Sequence, residues 1–456
     1  MRAVGLVGRL LPDLRHPARL VVAGFVAAVV VGTALLMLPA AAEPGNSTGV
    51  VTALFTATSA VCVTGLAVVD TATHWSTFGE LVVLGLIQVG GLGIMTLASL
   101  LGLLVARRLG LRLQLTAQAE TKTFGLGEVR QVVIRVIAIS VVIEALTAVI
   151  LTVRFATGYG MVWDRAVYEG VFHAVSAFNN AGFALYATSL TPFATDPWIT
   201  VPVMVALVAG GLGFPVLFEI GRRLHRRTPG RGRWSLHIRI TLLTSAVLTG
   251  VGVVGITAIE WSNPDTLGPM GVAGKLLVGT FHGVTPRTAG FNTLDVGQMN
   301  PASLLLTDML MFIGGGSAGT AGGIKVTTFA LLAFVIAAEI RGEPSVHVMG
   351  RRLSAQVQRQ ALTVALLGVG LVITSTLFLL VITDYPLDAV LFEATSAFGT
   401  VGLSTGITAT IPTSGQLLLV ALMFIGRLGP ITLASALALR ERARRYELPE
   451  ERPIVG

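Results

Sequence analysis

Four short segments of this chain hold residue types at spacings that could do chemistry. They read FTATSAVCVTGL at Phe55–Leu66, FHAVSAFNNAGF at Phe172–Phe183, FHGVTPRTAGF at Phe281–Phe291 and FEATSAFGTVGL at Phe392–Leu403. Each opens with Phe, passes through Ser or Thr, and closes on a Gly followed by Leu or Phe. The closing glycines, Gly65, Gly182, Gly290 and Gly402, lie 117, 108 and 112 positions apart. So regular a period marks one structural unit used four times. Glycine opens backbone dihedrals that other residues avoid. The stretches Val61–Gly65, Phe178–Gly182, Arg287–Gly290 and Gly399–Gly402 are therefore expected to turn carbonyl oxygens inward and replace an ion's hydration shell. The candidate ring comprises Val63, Thr64 and Gly65; Asn180, Ala181 and Gly182; Thr288, Ala289 and Gly290; and Thr400, Val401 and Gly402. A single Phe-to-Gly segment would carry nothing, and four could still be packing turns. Their common period favours the ring. The part from Phe to Ser or Thr reads as one to two helical turns, whose C-terminal partial negative charge favours a cation.

A second constellation follows each ring segment. Gly90-Gly91-Leu92-Gly93, Gly210-Gly211-Leu212-Gly213, Gly314-Gly315-Gly316-Ser317 and Gly426-Arg427-Leu428-Gly429 recur at matched offsets. Small residues let helices approach closely in a membrane, which suffices for the first two copies. The third expands into Gly314, Gly315, Gly316, Ser317, Ala318, Gly319, Thr320, Ala321, Gly322 and Gly323, followed by Ile324 and Lys325. Glycine costs about 1 kcal/mol relative to Ala in a helix, so the helix is expected to break here into a mobile plug, a gate. The plainer alternative is a kink between helices. Residues 314–319 also match G-x-G-x-x-G, but no strand precedes them and the flanks are apolar, so nucleotide binding is not the reading. In the fourth copy Arg427 replaces glycine. An intramembrane arginine normally faces a cavity or partner. It is expected to stand below the ring as a fixed positive charge, donating to loop carbonyls and hindering leak. Lys325 would cap the broken helix or snorkel to the surface.

Other candidates are weaker. Arg287 is expected to brace the third segment from behind. Glu144 and Glu219 are expected to pair with basic groups, and His173 and His282 to pack or hydrogen-bond locally. No His/Cys cluster, catalytic triad or carboxylate pair points to a metal site or an enzyme, and there is no Walker A sequence.

The elements that must position these residues are membrane helices. Mean hydropathy is +0.79, and only 12% of residues are charged, against about a quarter in soluble domains. Apolar stretches long enough to span a bilayer are read at 19–38, 80–106, 131–156, 198–221, 237–260, 301–340 (interrupted), 360–382 and 415–439. One ring segment lies between the two members of each pair. The expected architecture is an all-α polytopic membrane protein. Four tandem helix–pore loop–helix units form a pseudo-four-fold pore, with eight spanning helices plus four re-entrant pore helices. The units are 1–112, 113–233, 234–350 with the glycine-rich loop 314–323, and 351–456 with a cytoplasmic C-terminal tail. Of 32 Lys and Arg, 26 fall at the N-terminus, in 107–135, 222–239 and 341–359, and in the tail from Arg440. The positive-inside rule then puts both termini in the cytoplasm and the ring segments outside. Net charge of +8 follows from topology, not nucleic-acid binding. The Leu20–Leu38 run imitates a secretory signal but is too long for one, and is read as the first helix. The lone Cys62 permits no intrachain disulfide.

On these residues the chain resembles the Trk/Ktr/HKT superfamily of potassium transporters. The carriers are the four-fold plan, TPRTAGF at 285–291, GGGSAGTAGGIK at 314–325 and MFIGRLGP at 423–430, and the resemblance spans about 18–440. With eight spans and no extra N-terminal pair it looks most like the bacterial KtrB-type membrane subunit. The resemblance implies potassium as the ion at the ring, or selectivity filter, and location in the cell inner (plasma) membrane. It also implies a homodimer gated by a cytosolic KtrA-type RCK ring. ATP or ADP would bind that ring and not this chain. In plant relatives a serine at the first filter glycine accompanies sodium preference. Gly65 and its three counterparts are all present here, which favours potassium. The third segment is one residue shorter between Phe and Gly, so the carbonyl rings need not be symmetric.

Three rivals belong beside this reading. A sodium-selective or sodium-coupled member of the same superfamily is the nearest. A coupled carrier of another class would typically have inverted repeats, which two-crossing units do not give. A membrane enzyme would need a convergent acid–base or metal cluster.

Overall fold

In a computed structural model, residues 17–44, 48–108, 126–225 and 234–429 are described. The N-terminal arginines before residue 17, the tail from Arg440 and the unit boundaries at 112 and 233 lie outside them. Taken by the expected units, the first holds α1 (Pro17–Leu36), α2 (Val50–Val61) and α3 (Thr77–Arg108). The second comprises α4 (Leu126–Gly158), α5 (Trp163–Asn179), α6 (Pro197–Leu212) and α7 (Phe214–His225). The third comprises α8 (Leu236–Glu260), α9 (Val272–Val284), α10 (Pro301–Phe312) and α11 (Val326–Ile340). After a hairpin of β1 (His347–Val348) and β2 (Arg351–Arg352), the fourth comprises α12 (Ala355–Ile382), α13 (Leu387–Gly399) and α14 (Thr413–Leu428).

The short helices α2, α5, α9 and α13 end at the ring segments. Each packs on the long helix before it, α1, α4, α8 or α12. Their opening phenylalanines, Phe55, Phe172, Phe281 and Phe392, are completely buried. The repeated Phe is thus the apolar anchor that fixes how deep each segment sits. Units contact in sequence, α3 on α4 and α5, α6 on α9, α10 on α13, and α14 returns to α2. The periphery is the reverse of a soluble protein's: Val30, Leu146, Val254, Leu366, Leu377 and Val381 are each at least 60% exposed. Such faces suit hydrocarbon, where each helix already satisfies its own backbone groups.

Among the described residues, three helices are long and apolar enough to cross a membrane: Val133–Gly158, Leu236–Glu260 and Ala355–Ile382. A fourth span results when Pro197–Leu212 and Phe214–Arg223 are taken together, and the shorter apolar helices Val21–Leu36, Thr77–Gly93, Pro301–Phe312, Val326–Ile340 and Thr413–Leu428 overlap the other expected stretches. Two expectations change. The stretch 198–221 is not one helix: it bends by 106° at Gly213, whose φ of +90° ends the helical path. The part from Phe to Ser or Thr lies, as expected, in the C-terminal turns of helices that run 12, 17, 13 and 13 residues and extend well N-terminal to the Phe. The helix predicted for 415–439 stops at Leu428, where Gly429 turns to φ +84°.

Candidate ion-conduction site

Each short helix leaves its last turn through the same backbone path. Val63, Asn180, Thr288 and Thr400 have φ of 54°, 62°, 77° and 49°, and the glycines two residues on have φ of 93°, 69°, 74° and 91°. A positive φ at β-branched Val or Thr is a genuine outlier, held only where the surroundings over-determine it. The surroundings here are the Ser or Thr of the motif. The Thr64, Ala181 and Val401 amides donate to the Ser59, Ser176 and Ser396 carbonyls at 2.7–2.9 Å, and Ala289 donates to the Thr285 carbonyl at 3.0 Å. In the first and fourth units the Ser59 and Ser396 hydroxyls also accept from Gly65 and Gly402 at 3.0 and 3.1 Å. Tying these amides to the helix behind them turns the peptide carbonyls to the opposite side. The third segment's missing residue is absorbed before Thr288, so its path matches the others.

The four glycines meet. A Cβ on Gly182 would stand 2.7 Å from the Gly290 Cα, one on Gly65 would stand 3.1 Å from the Gly182 Cα, and one on Gly402 would stand 3.0 Å from the Gly65 Cα. On Gly290 it would overlap the Val401 carbonyl oxygen. On one side of this meeting point a cavity of about 210 Å³ is lined by all four glycines together with Asp70 and Ser404. On the other side, chain 313–325 breaks the third unit's second helix between Phe312 and Val326. A bridge between Ile313 and Ile324 closes its neck.

That loop lies against three units. Its Gly316 and Thr320 amides donate to the Gly211 and Gly210 carbonyls at 2.8 and 3.1 Å, and the Phe214 amide returns to the Ala318 carbonyl at 3.3 Å. The α6–α7 bend, read from sequence as simple close packing, is thus a platform for the loop. A Cβ on Gly322 would stand 2.7 Å from the Gly399 carbonyl, beside the fourth segment. Arg427, 3% exposed, donates through Nη1 to the Thr320 carbonyl and through Nη2 to the Gly90 carbonyl at 3.3 Å. One guanidinium therefore joins the fourth unit, the loop and the first unit. Lys325 turns back to donate to the Ala321 carbonyl.

Behind the third segment, Arg287 donates to the Ser245 carbonyl at 2.8 Å, the Thr249 hydroxyl at 3.2 Å, the Ser245 hydroxyl at 3.2 Å and the Gly314 carbonyl at 3.3 Å. It braces, as its position suggested, and also holds the first residue of the loop. Glu219 pairs with Arg222 and with Arg223. Glu144 does not find a base: both its oxygens accept from Gln88 at 3.2 Å, and Oε1 also accepts from Asn179 at 3.2 Å. Among the described residues, amides of α3 and α5 reach that depth and no cation does.

His173 and His282 do local work of a defined kind. Nε2 of each accepts from the backbone amide of the chain leaving the ring, Leu185 at 3.3 Å and Thr293 at 3.2 Å. Glu393 occupies the same place after the Phe in the fourth unit. It accepts from the Thr405 amide at 3.0 Å, Ser404 at 2.5 Å and Thr408 at 2.7 Å. Sequence reasoning missed Glu393, although its position in FEATSAFGTVGL, aligned with the two histidines, was the available signal.

Helices with hydrocarbon-facing exteriors around converging glycine turns define an integral membrane protein built for small-solute passage rather than catalysis. A family model described as TrkH, cation transport protein, matches residues 10–444, and the chain belongs to that family. It is similar to the Ktr system potassium uptake protein B of Bacillus subtilis, 38% identical over 94% of each chain. The protein of that name from Vibrio alginolyticus is 36% identical over 96% of this chain and 94% of its own. The potassium/sodium uptake protein NtpJ of Enterococcus hirae is 35% identical over 96% of this chain and 97% of its own. The crystal structure of the potassium transporter TrkH from Vibrio parahaemolyticus shares the fold, with a TM-score of 0.72 at 18% identity over 93% of this chain and 86% of that one. These relatives are ion transporters and not enzymes.

Proposed function

We propose that this chain is the membrane subunit of a potassium uptake system, with the four ring segments as its selectivity filter and residues 314–323 as its gate. The observation that carries this is the meeting of Gly65, Gly182, Gly290 and Gly402, one from each repeat, at a single point. Potassium is a substrate here, held by backbone carbonyls in place of its water. The Thr64 and Thr400 hydroxyls and the Asn180 Oδ1 are buried with no protein partner, as befits oxygens beside an ion path. The loop, with Arg427 and Lys325 tied to its carbonyls, would close that path on the side away from the cavity of about 210 Å³, the outer vestibule on this reading. Entry would be from outside, with both termini cytoplasmic in the plasma membrane. The relatives named as Ktr system proteins belong to multi-component systems. This chain would accordingly act as a homodimer with a cytosolic KtrA-type RCK ring that carries the ATP or ADP.

A second reading, sodium transport by the same path, draws on the relative named as a potassium/sodium uptake protein. Flux of K+ and Na+ into liposomes holding the purified protein separates the two. Potassium-selective flux that loses selectivity in Gly65→Ser and Gly290→Ser is expected. Sodium-dominant flux in the unaltered protein would favour the second reading. No cation flux with or without a cytosolic partner would overturn both.

A further inference from the structure

A cavity of about 320 Å³ lies beside the proposed ion path, between the second and third units. Ligand pockets begin at about this size. Its wall is largely apolar, with Leu207 and Val208 of α6, Leu242 and Ala246 of α8, and Val284 and Ala289 around the third ring segment. Val208 and Ala246 are exposed on the outer faces of α6 and α8, so the mouth opens sideways toward hydrocarbon and not into the vestibule. Three polar residues, Ser245, Thr249 and Arg287, stand at the inner end with Gly211 and Gly315.

Arg287 sets the chemistry of an occupant. A guanidinium carries five N–H donors. Four of its bonds go to the oxygens of Ser245, Thr249 and Gly314, while Nε is buried with no partner. Among the described residues no carboxylate pairs with it. A half-buried cation in an apolar wall, with no carboxylate beside it among the described residues, favours an anion bearing hydrogen-bond acceptors. At about 30 Å³ per group, the share of one liquid water, the space holds roughly ten methylenes. A phospholipid would have to sink its headgroup to the level of the ring to reach Arg287. A free acid need sink only a carboxylate.

We propose that this cavity is a lateral binding site for a free medium-chain carboxylate drawn from the membrane, with its head at Arg287 and its tail toward Val208 and Ala246. Occupancy presses on the place where the loop is seated. Gly315 and Gly211 line the cavity, the Gly316 amide holds the Gly211 carbonyl at 2.8 Å, and Arg287 itself holds Gly314. A bound chain would therefore keep the loop on its platform and lower flux. This last step rests on the proposed gate, whereas the binding does not.

The test uses decanoic acid with a photoactivatable diazirine near its tail, applied to the full chain in liposomes, with labelled peptides mapped by mass spectrometry. Label is expected in 207–212 and 242–249, competed by decanoate and not by decyltrimethylammonium. It should be lost in Ala246→Trp and in Leu242→Trp, which fill the cavity, where these variants still transport cations. Label spread evenly over the outer helices, unchanged by both variants, or competed equally by the cationic amphiphile would overturn the site. Decanoate is expected to depress flux in the unaltered protein and to lose that effect in Ala246→Trp. Normal flux with the cavity labelled would overturn the coupling to the loop alone, and labelling requires no flux at all.

Discussion

A Cβ placed on Gly182 would come within 2.7 Å of the Gly290 Cα, closer than backbone can tolerate without moving. The same glycine sits at φ +69°, where a side chain adds about 1–2 kcal/mol of strain. Gly182→Ala is therefore expected to assemble in the membrane yet lose at least about tenfold in flux, the change that 1.4 kcal/mol brings. Isotope uptake normalised to folded protein checks this. The bracing position after the Phe of the second, third and fourth segments makes a different demand, since its task is to accept an amide hydrogen bond outside the ring. Glu393→Ala would strand the buried Thr408 hydroxyl and the half-buried Thr405 amide, at about 1–3 kcal/mol for a buried group. It should lower the thermal midpoint in detergent, with Glu393→Gln retaining more of it. The ring glycines were legible because four copies had to obey one backbone constraint. The bracing position was not, because the imidazoles of His173 and His282 and the carboxylate of Glu393 share no chemistry, only a place. Glu144 was misread for a related reason: a carboxylate in an apolar helix implies a partner, but the sequence does not say that Gln88 and Asn179 will be the ones to reach it.

Helix interruption was legible where glycine was dense and hidden where it was sparse. Residues 314–323 hold enough glycine to forbid a helix, whereas Gly210–Gly213 resembles Gly90–Gly93 closely. Yet Gly90–Gly93 lies inside the continuous α3, and Gly213 turns the chain by 106°. The difference is tertiary: the bent chain at Gly213 receives the loop, through Gly210, Gly211 and Phe214, whereas α3 meets Arg427 at Gly90. Arg427 is consequently the cross-tie of the proposed gate. A hydrogen bond to a charged group contributes about 1.5–3 kcal/mol, so Arg427→Gln should shift a closed loop toward open by roughly tenfold or more. The expected result is raised flux without any cytosolic partner. A deletion within 314–323 should raise it further. If Arg427→Gln instead lowers flux while the protein stays folded, the arginine is holding the path open and its role as a tie is wrong.

At the scale of the whole molecule the question is what drives the ion. The described residues carry no metal cluster of His, Cys, Asp and Glu, and the sequence has no Walker A segment. On the proposed four-unit plan the repeats share one orientation, without the inverted halves on which rocking carriers are commonly built. A path of this kind needs only the membrane potential, worth about 2.3 kcal/mol per elementary charge per 100 mV. Rubidium taken up by liposomes at −100 mV inside should therefore level off near a roughly fiftyfold gradient, the ratio that energy sets. Imposing an inward sodium gradient at the same voltage separates mechanisms. A gated pore can be speeded by sodium but cannot exceed the electrical limit, because sodium then alters only the fraction of time the path is open. A sodium-coupled carrier adds the second gradient to the first and drives rubidium beyond it. The plateau is expected to stay unchanged while the initial rate is free to vary. Accumulation past the electrical limit would show that each ion crosses with a partner, and the filter-and-gate reading would give way to obligatory coupling.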